Sequence, residues 1–167
     1  MTIYFFHRED AKTQKKRKGI VLPFSLKPIN GSCYFKLSFM EKQLIEYYAR
    51  QIVDAGFRVH RELGPGLLES IYHFCFMEEL KIRGIKAEPE VFVQLFYLGN
   101  PLNKDFRLDI IVENEIIIEL KSVEILLSVH IAQILSYLRL ANKRLGFLIN
   151  FNVPFFKDGI KRYVNNY

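Results

Sequence analysis

Two apolar runs, Ile110-Ile111-Val112 and Ile116-Ile117-Ile118, are separated by only three polar residues, Glu113-Asn114-Glu115. Three residues is a common hairpin loop, and short runs of β-branched residues pack well as strands. If apolar is to meet apolar, Val112 lies across from Ile116 and Ile110 across from Ile118. A slip of one residue would turn every side chain to the other face, so this register is strongly specified. The second run then continues as Glu119-Leu120-Lys121. A strand that reads as the middle of a buried sheet thus admits a carboxylate and an ammonium.

Alternation assigns the faces. In the first arm Leu108, Ile110 and Val112 face one way, and Arg107, Asp109 and Ile111 the other. In the second arm Ile116, Ile118 and Leu120 share a face, opposite Ile117, Glu119 and Lys121. Asp109 is therefore expected directly across from Glu119. Opposed residues have Cβ atoms about 4.5 to 5.5 Å apart, where like charges repel unless something lies between them. A hard divalent cation answers that need: magnesium binds oxygen at about 2.0 to 2.1 Å, takes one or two protein carboxylates and keeps other positions for water and phosphate. Lys121 would hold or deprotonate an attacking water and offset transition-state charge. The competing reading is a solvated checkerboard, with Arg107 diagonal to Glu119 and Asp109 diagonal to Lys121 in ordinary cross-strand ion pairs. Ile111 and Ile117 on the charged face favour a covered, recessed cluster instead.

Around this hairpin the periodicity gives an element order. Residues 40–63 place Leu44, Tyr48, Ile52, Ala55 and Val59 at steps of three or four, a helix closed by Gly64-Pro65-Gly66. A second helix is expected over 67–83, with Ile71, Phe74, Cys75, Leu80 and Ile82 as its apolar positions and Gly84 as its stop. Strands follow at 85–97, 104–112 and 116–121, then a helix over 129–142 carrying Ile131, Ile134, Leu135 and Leu138. A buried strand is expected over 145–151, and a short closing helix after Pro154, around 158–164.

The chain has 167 residues, half of them apolar, which suits one domain. Its net charge of +6 is concentrated at the start: residues 1–39 hold eight basic and two acidic residues, and residues 40–167 hold 16 of each. A grip on phosphate in the main body must therefore come from local patches. Residues 1–39 read as a basic leader, disordered or the product of a mis-placed start, with Met40 rather than Met1 as the alternative first residue. The run Lys15-Lys16-Arg17-Lys18 before an apolar stretch outlines a signal peptide, but Pro23 and Lys27 interrupt it and no small-residue cleavage site follows. Cys33 and Cys75 are isolated, with neither disulfide nor zinc spacing, and no run approaches the length of a membrane span. A cytoplasmic protein without membrane partners is expected.

The stretch RLDIIVENEIIIELK resembles the Asp, then Glu-x-Lys, signature of the PD-(D/E)XK nuclease superfamily, with Asp109, Glu119 and Lys121 at the signature positions. Its surroundings, HRELGPGLLESIY before it and HIAQILSYLRL with LGFLINFNVP after it, are similar to the small bacterial and archaeal proteins labelled the GxxExxR family. The resemblance covers about residues 40–164. It departs at two points: Leu108 stands where the superfamily name has Pro, and Tyr72 stands at the position labelled Arg. It implies an α/β, restriction-endonuclease-like fold with an αβββαβ core, a mixed central sheet flanked by helices. It further implies magnesium, or manganese in its place, held by Asp109, Glu119, Glu69 and the Leu120 carbonyl, with Lys121 and Gln133 as catalytic groups.

Each assignment has a plainer counterpart. Glu69 near a helix start is favoured by the helix dipole whatever its function. Gln133 lies in a polar stripe with His130 and Tyr137 that would ordinarily be solvated surface. His130 is either a phosphate contact or a structural residue. Two function classes follow: a magnesium-dependent phosphodiester hydrolase acting on nucleic acid, DNA in the first place, or an inactive module that keeps the fold and binds nucleic acid or a protein. Paired carboxylates also suit a retaining glycosidase, but Lys121 beside them would depress the raised pKa that a general acid needs. The oligomeric state is not legible.

Overall fold

The structure, a computed structural model, describes residues 31–165, with side chains described from Glu41 onward. The basic run at 15–18 therefore lies outside the described residues. Two compact units divide at Met40. In the first, residues 31–40 are helical; they open helix α1, Gly31–Leu63, which thus begins well before the expected start at Met40. The second unit carries the rest: α2 (Glu69–Ile82), β1 (Ala87–Tyr97), β2 (Asn100–Val112), β3 (Ile116–Lys121), α3 (Ser128–Leu140), β4 (Leu145–Asn150), α4 (Phe156–Gly159) and β5 (Ile160–Val164).

The strands form one sheet in the order β1-β2-β3-β4-β5. Only β3 and β4 run parallel, joined across α3, and the other pairs are antiparallel. The sheet is mixed, with an αβββαβ core as expected. The hairpin register is as the sequence dictates: Ile110 pairs with Ile118, Ile111 with Ile117 and Val112 with Ile116. Glu113 and Asn114 turn the chain at φ 51° and 56°.

Both faces of the sheet are covered, which is why β3 and β4 can be apolar almost throughout. One face packs Ile110, Val112, Ile116, Ile118 and Leu120 against Ile52, Ala55 and Val59 of α1 and Tyr72, Phe76 and Leu80 of α2. The other packs Ile111, Ile117 and Leu148 against Ile134 and Leu138 of α3. Leu108 belongs to this second cluster and not to the Ile110 face, so strict alternation fails between Leu108 and Ile110. The cause is local. The β1–β2 pairing omits Glu90 and Asp109, between the pairs Pro89–Ile110 and Val91–Leu108, and Glu90 sits at φ 52°.

Several expected helix stripes are rotated. Leu44 is 52% exposed, and Ile45 and Ala49 take the core positions in α1. In α2, Ile71, Phe74 and Ile82 are exposed while Tyr72, Phe76 and Leu80, at steps of four, are fully buried. Leu135 of α3 is also exposed. The expected closing helix at 158–164 is wrong: a single helical turn gives way to β5, which pairs antiparallel with β4. Without β5 the backbone groups on one side of β4 would be left at an open edge.

Candidate functional site

The site lies where β2 and β3 part. Their ladder ends at Ile110–Ile118, and just beyond it the Leu120 N–H is bound by the Asp109 carboxylate at 3.1 Å, in place of a strand partner. Asp109 thus sits at a break in its pairing with both neighbouring strands. Glu119 and Lys121 follow on β3, and the Lys121 ammonium donates to Glu119 Oε1 at 2.6 Å and to the Leu120 carbonyl at 2.9 Å. The same ammonium is 3.9 Å from Asp109 Oδ2. The two carboxylate oxygens it joins are therefore no more than about 6.5 Å apart, a separation that two bonds of about 2.1 Å to one ion bring within small side-chain movements.

Burial separates this cluster from a surface ion-pair network. Glu119 is 1% exposed, and its Oε2 is buried with no hydrogen-bond partner. A buried carboxylate oxygen left unpaired is costly, and its desolvation raises the Glu119 pKa from 4.5 to about 7. The Asp109 charge adds to that rise, and the Lys121 hydrogen bond and charge oppose it. Burial presses the Lys121 pKa down, but the bond to Glu119 and the charges of Glu119, Asp109 and Glu69 more than offset it, and the net shift is upward. Of the competing checkerboard only the Asp109–Lys121 pair is present; Arg107 turns away to Glu90, 2.7 Å, in an exposed pair.

Glu69 stands at the border of the cluster. Its Oε2 accepts the Ser122 N–H at 3.3 Å, one residue beyond Lys121, and its charge reaches both Glu119 and Lys121. It does not close a carboxylate triad; among the described residues no group of three or more His, Cys, Asp or Glu side chains converges as a metal shell. Gln133 donates to the Tyr137 hydroxyl at 3.0 Å, and Tyr137 stacks on Phe106 of β2. It lies beside Ile134 on the helix that covers the Glu119 side of the sheet. His130 accepts the Leu127 N–H at 3.1 Å and closes the first turn of α3, the structural role of the two considered.

Three residues not assigned to the site from sequence hold it in place. Tyr72, at the position labelled Arg in the similar family, stacks on Phe151 at 4.6 Å between ring centroids; its hydroxyl donates to the Gly64 carbonyl at 2.7 Å and accepts the Leu67 N–H at 3.1 Å. This knits the turn between α1 and α2, where Gly64 and Gly66 adopt φ 67° and 97°. The Ser122 hydroxyl donates to the Leu67 carbonyl at 2.6 Å, tying that turn to the end of β3. Asn150, paired with Lys121 across the sheet, brackets Val123 by accepting its N–H at 3.0 Å and donating to its carbonyl at 2.7 Å. A polar residue at the end of an apolar strand was the available signal for Asn150. His73, one turn after Glu69, donates to the Asp109 carbonyl at 3.4 Å.

The donor set fits a hard divalent cation. It offers two carboxylates at a strand break, the Leu120 main-chain carbonyl held by the same ammonium as Glu119, and a buried carboxylate oxygen that lacks a partner. The Lys121 ammonium supplies part of the missing positive charge.

A model of the PD-(D/E)XK nuclease superfamily matches residues 46–163. No curated protein and no solved structure gives a significant match.

Proposed function

The chain belongs to the PD-(D/E)XK nuclease superfamily, and from that membership we propose that it is a magnesium-dependent nuclease that hydrolyses phosphodiester bonds in nucleic acid, DNA in the first place. The observation that carries this reading is Glu119: a carboxylate 1% exposed, with one oxygen unpartnered, beside a second carboxylate. A core strand gains nothing in stability from such an oxygen, whereas a cation-binding site requires one.

Asp109, Glu119, Glu69 and the Leu120 carbonyl would hold magnesium or manganese. The ion supplies Lewis-acid charge and a water of lowered pKa. Lys121, at the edge of this set, would orient the nucleophile and stabilise charge developing on the phosphate. Gln133, on the helix over that side of the sheet, would steady the water or a phosphate oxygen. We assign residues 40–167 to the nuclease domain, residues 1–39 to a basic leader and the chain to the GxxExxR family, with a cytoplasmic location.

The rival reading, an inactive module that binds nucleic acid or protein, draws on one observation, the lack of a three-carboxylate shell among the described residues. One assay separates the two. Purified protein is incubated with single-stranded, duplex and branched DNA and with RNA, in magnesium, manganese or EDTA. The nuclease reading expects metal-dependent cutting that Glu119→Gln abolishes and Lys121→Ala lowers by roughly a hundredfold or more. Equal cutting by wild type and both variants marks a contaminant, and binding without cutting selects the rival.

A further inference from the structure

A groove of about 870 Å³ lies between α1 and the segment from Pro154 to Arg162, lined by none of the site's carboxylates. One wall follows α1 from Glu46 to Arg61, a length of about 22 Å at 1.5 Å per residue. Val53 and Phe57 line it, and Phe155 and Phe156 form the opposite wall. Phe57 is 50% and Phe155 65% exposed, so both present ring surface to a ligand. Phe156 fills the floor against Gly56, where any Cβ would collide with its ring.

The charges around this groove are uneven. Its two carboxylates already have guanidinium partners, Glu46 with Arg162 and Asp54 with Arg83. Among the described contacts Arg50 reaches only a main-chain carbonyl and Lys157 lies over the Phe155 ring at 5.8 Å; neither has a carboxylate partner. Arg61 adds a third cation, paired with the exposed Glu62. A groove with exposed aromatic rings and uncompensated cations along its edge has the composition that holds a flexible polyanion with flat, stackable groups. Residues 40–167 carry no net charge, so a broad track for a duplex backbone is lacking and a local patch must serve.

We propose that this groove binds an unpaired stretch of the nucleic-acid substrate, its bases against Phe57 and Phe155 and its phosphates at Arg50, Arg61 and Lys157. This rests on the nuclease reading and specifies the substrate as one with a single-stranded segment.

The test uses the full chain in EDTA, so that no cutting occurs, with fluorescein-labelled oligothymidine of 15 nucleotides and a duplex of equal length, read by anisotropy. Wild type binds the single strand more tightly than the duplex. Phe57→Ala with Phe155→Ala weakens single-strand binding about tenfold or more, as expected for loss of stacking, and leaves duplex binding unchanged. Arg50→Gln with Lys157→Gln, whose fold is checked by circular dichroism, flattens the salt dependence of single-strand binding by about 1.4 in log–log slope. Oligothymidine binding unaffected by both pairs, or a wild type that prefers duplex, overturns the proposal. A dimer that becomes monomeric in the Phe pair with DNA binding intact also overturns it and gives the groove to a second copy. Glu119→Gln separates this from the nuclease reading: it must bind as wild type does and fail to cut.

Discussion

Glu119→Gln tests the electrostatics of the site without any appeal to activity. In the metal-free protein the Glu119 pKa rises from 4.5 to about 7, first through burial and then through the Asp109 charge. Between those two pH values the folded protein holds a proton that the unfolded chain has released. The stabilising effect of that proton is complete below pH 4.5, declines as pH rises and is gone above about pH 7. At 1.36 kcal/mol per pKa unit the shift, net of the opposing Lys121 ammonium, corresponds to about 3 kcal/mol. Urea unfolding in EDTA at pH 5 and pH 8.5 should therefore show wild type losing about 2 to 3 kcal/mol more than Glu119→Gln over that interval. Added magnesium should restore stability to wild type at pH 8.5, by about 1.4 kcal/mol at a tenfold excess over its Kd, and leave Glu119→Gln unchanged. Identical pH dependence in the two proteins would refute the claim that burial raises the Glu119 pKa.

Other expectations follow from the same contacts. Lys121→Ala should lower cleavage by roughly a hundredfold or more, measured in single-turnover assays, while far-ultraviolet circular dichroism stays that of the wild type. Tyr72→Phe keeps the ring on Phe151 but loses the hydroxyl that joins Gly64 and Leu67, so urea melts should show a cost of about 1 kcal/mol; its effect on manganese affinity should not add to that of Glu69→Gln if the turn acts through Glu69. Phe76→Ala, at a fully buried position between α2 and the sheet, should cost about 3 to 5 kcal/mol in urea unfolding, far more than Arg107→Ala, whose exposed pair with Glu90 is worth at most about 1 kcal/mol.

The central hairpin was legible because three constraints coincide there: two apolar runs, a three-residue loop and a period of two leave one register. That register brought Asp109, Glu119 and Lys121 together in the sequence before any coordinates. It did not reveal the break in the ladder, because Leu108 and Ile110 look alike in a sequence, and only the unpaired Glu90–Asp109 step moves them to different faces. Helix stripes were less legible. In α2 nearly every residue from Ile71 to Phe76 is apolar or aromatic, so the period of 3.6 has no polar face to phase it. The buried Tyr72 and the exposed Phe74 were thus interchangeable in the sequence. The last strand was missed because Lys161 and Arg162 read as a solvated helix, whereas pairing with β4 decides the conformation of an edge strand. Tyr72, Ser122 and Asn150 act through main-chain groups distant in sequence, and such contacts leave no local pattern.

A crystal of the protein soaked in manganese, with diffraction recorded at the manganese absorption edge, tests the central claim most directly. The account predicts an anomalous peak about 2.1 Å from oxygens of both Asp109 and Glu119 and near the Leu120 carbonyl, with the Lys121 ammonium displaced from Glu119 Oε1. No peak there at millimolar manganese, with the ammonium still bound to Glu119 and the Leu120 carbonyl, would contradict it.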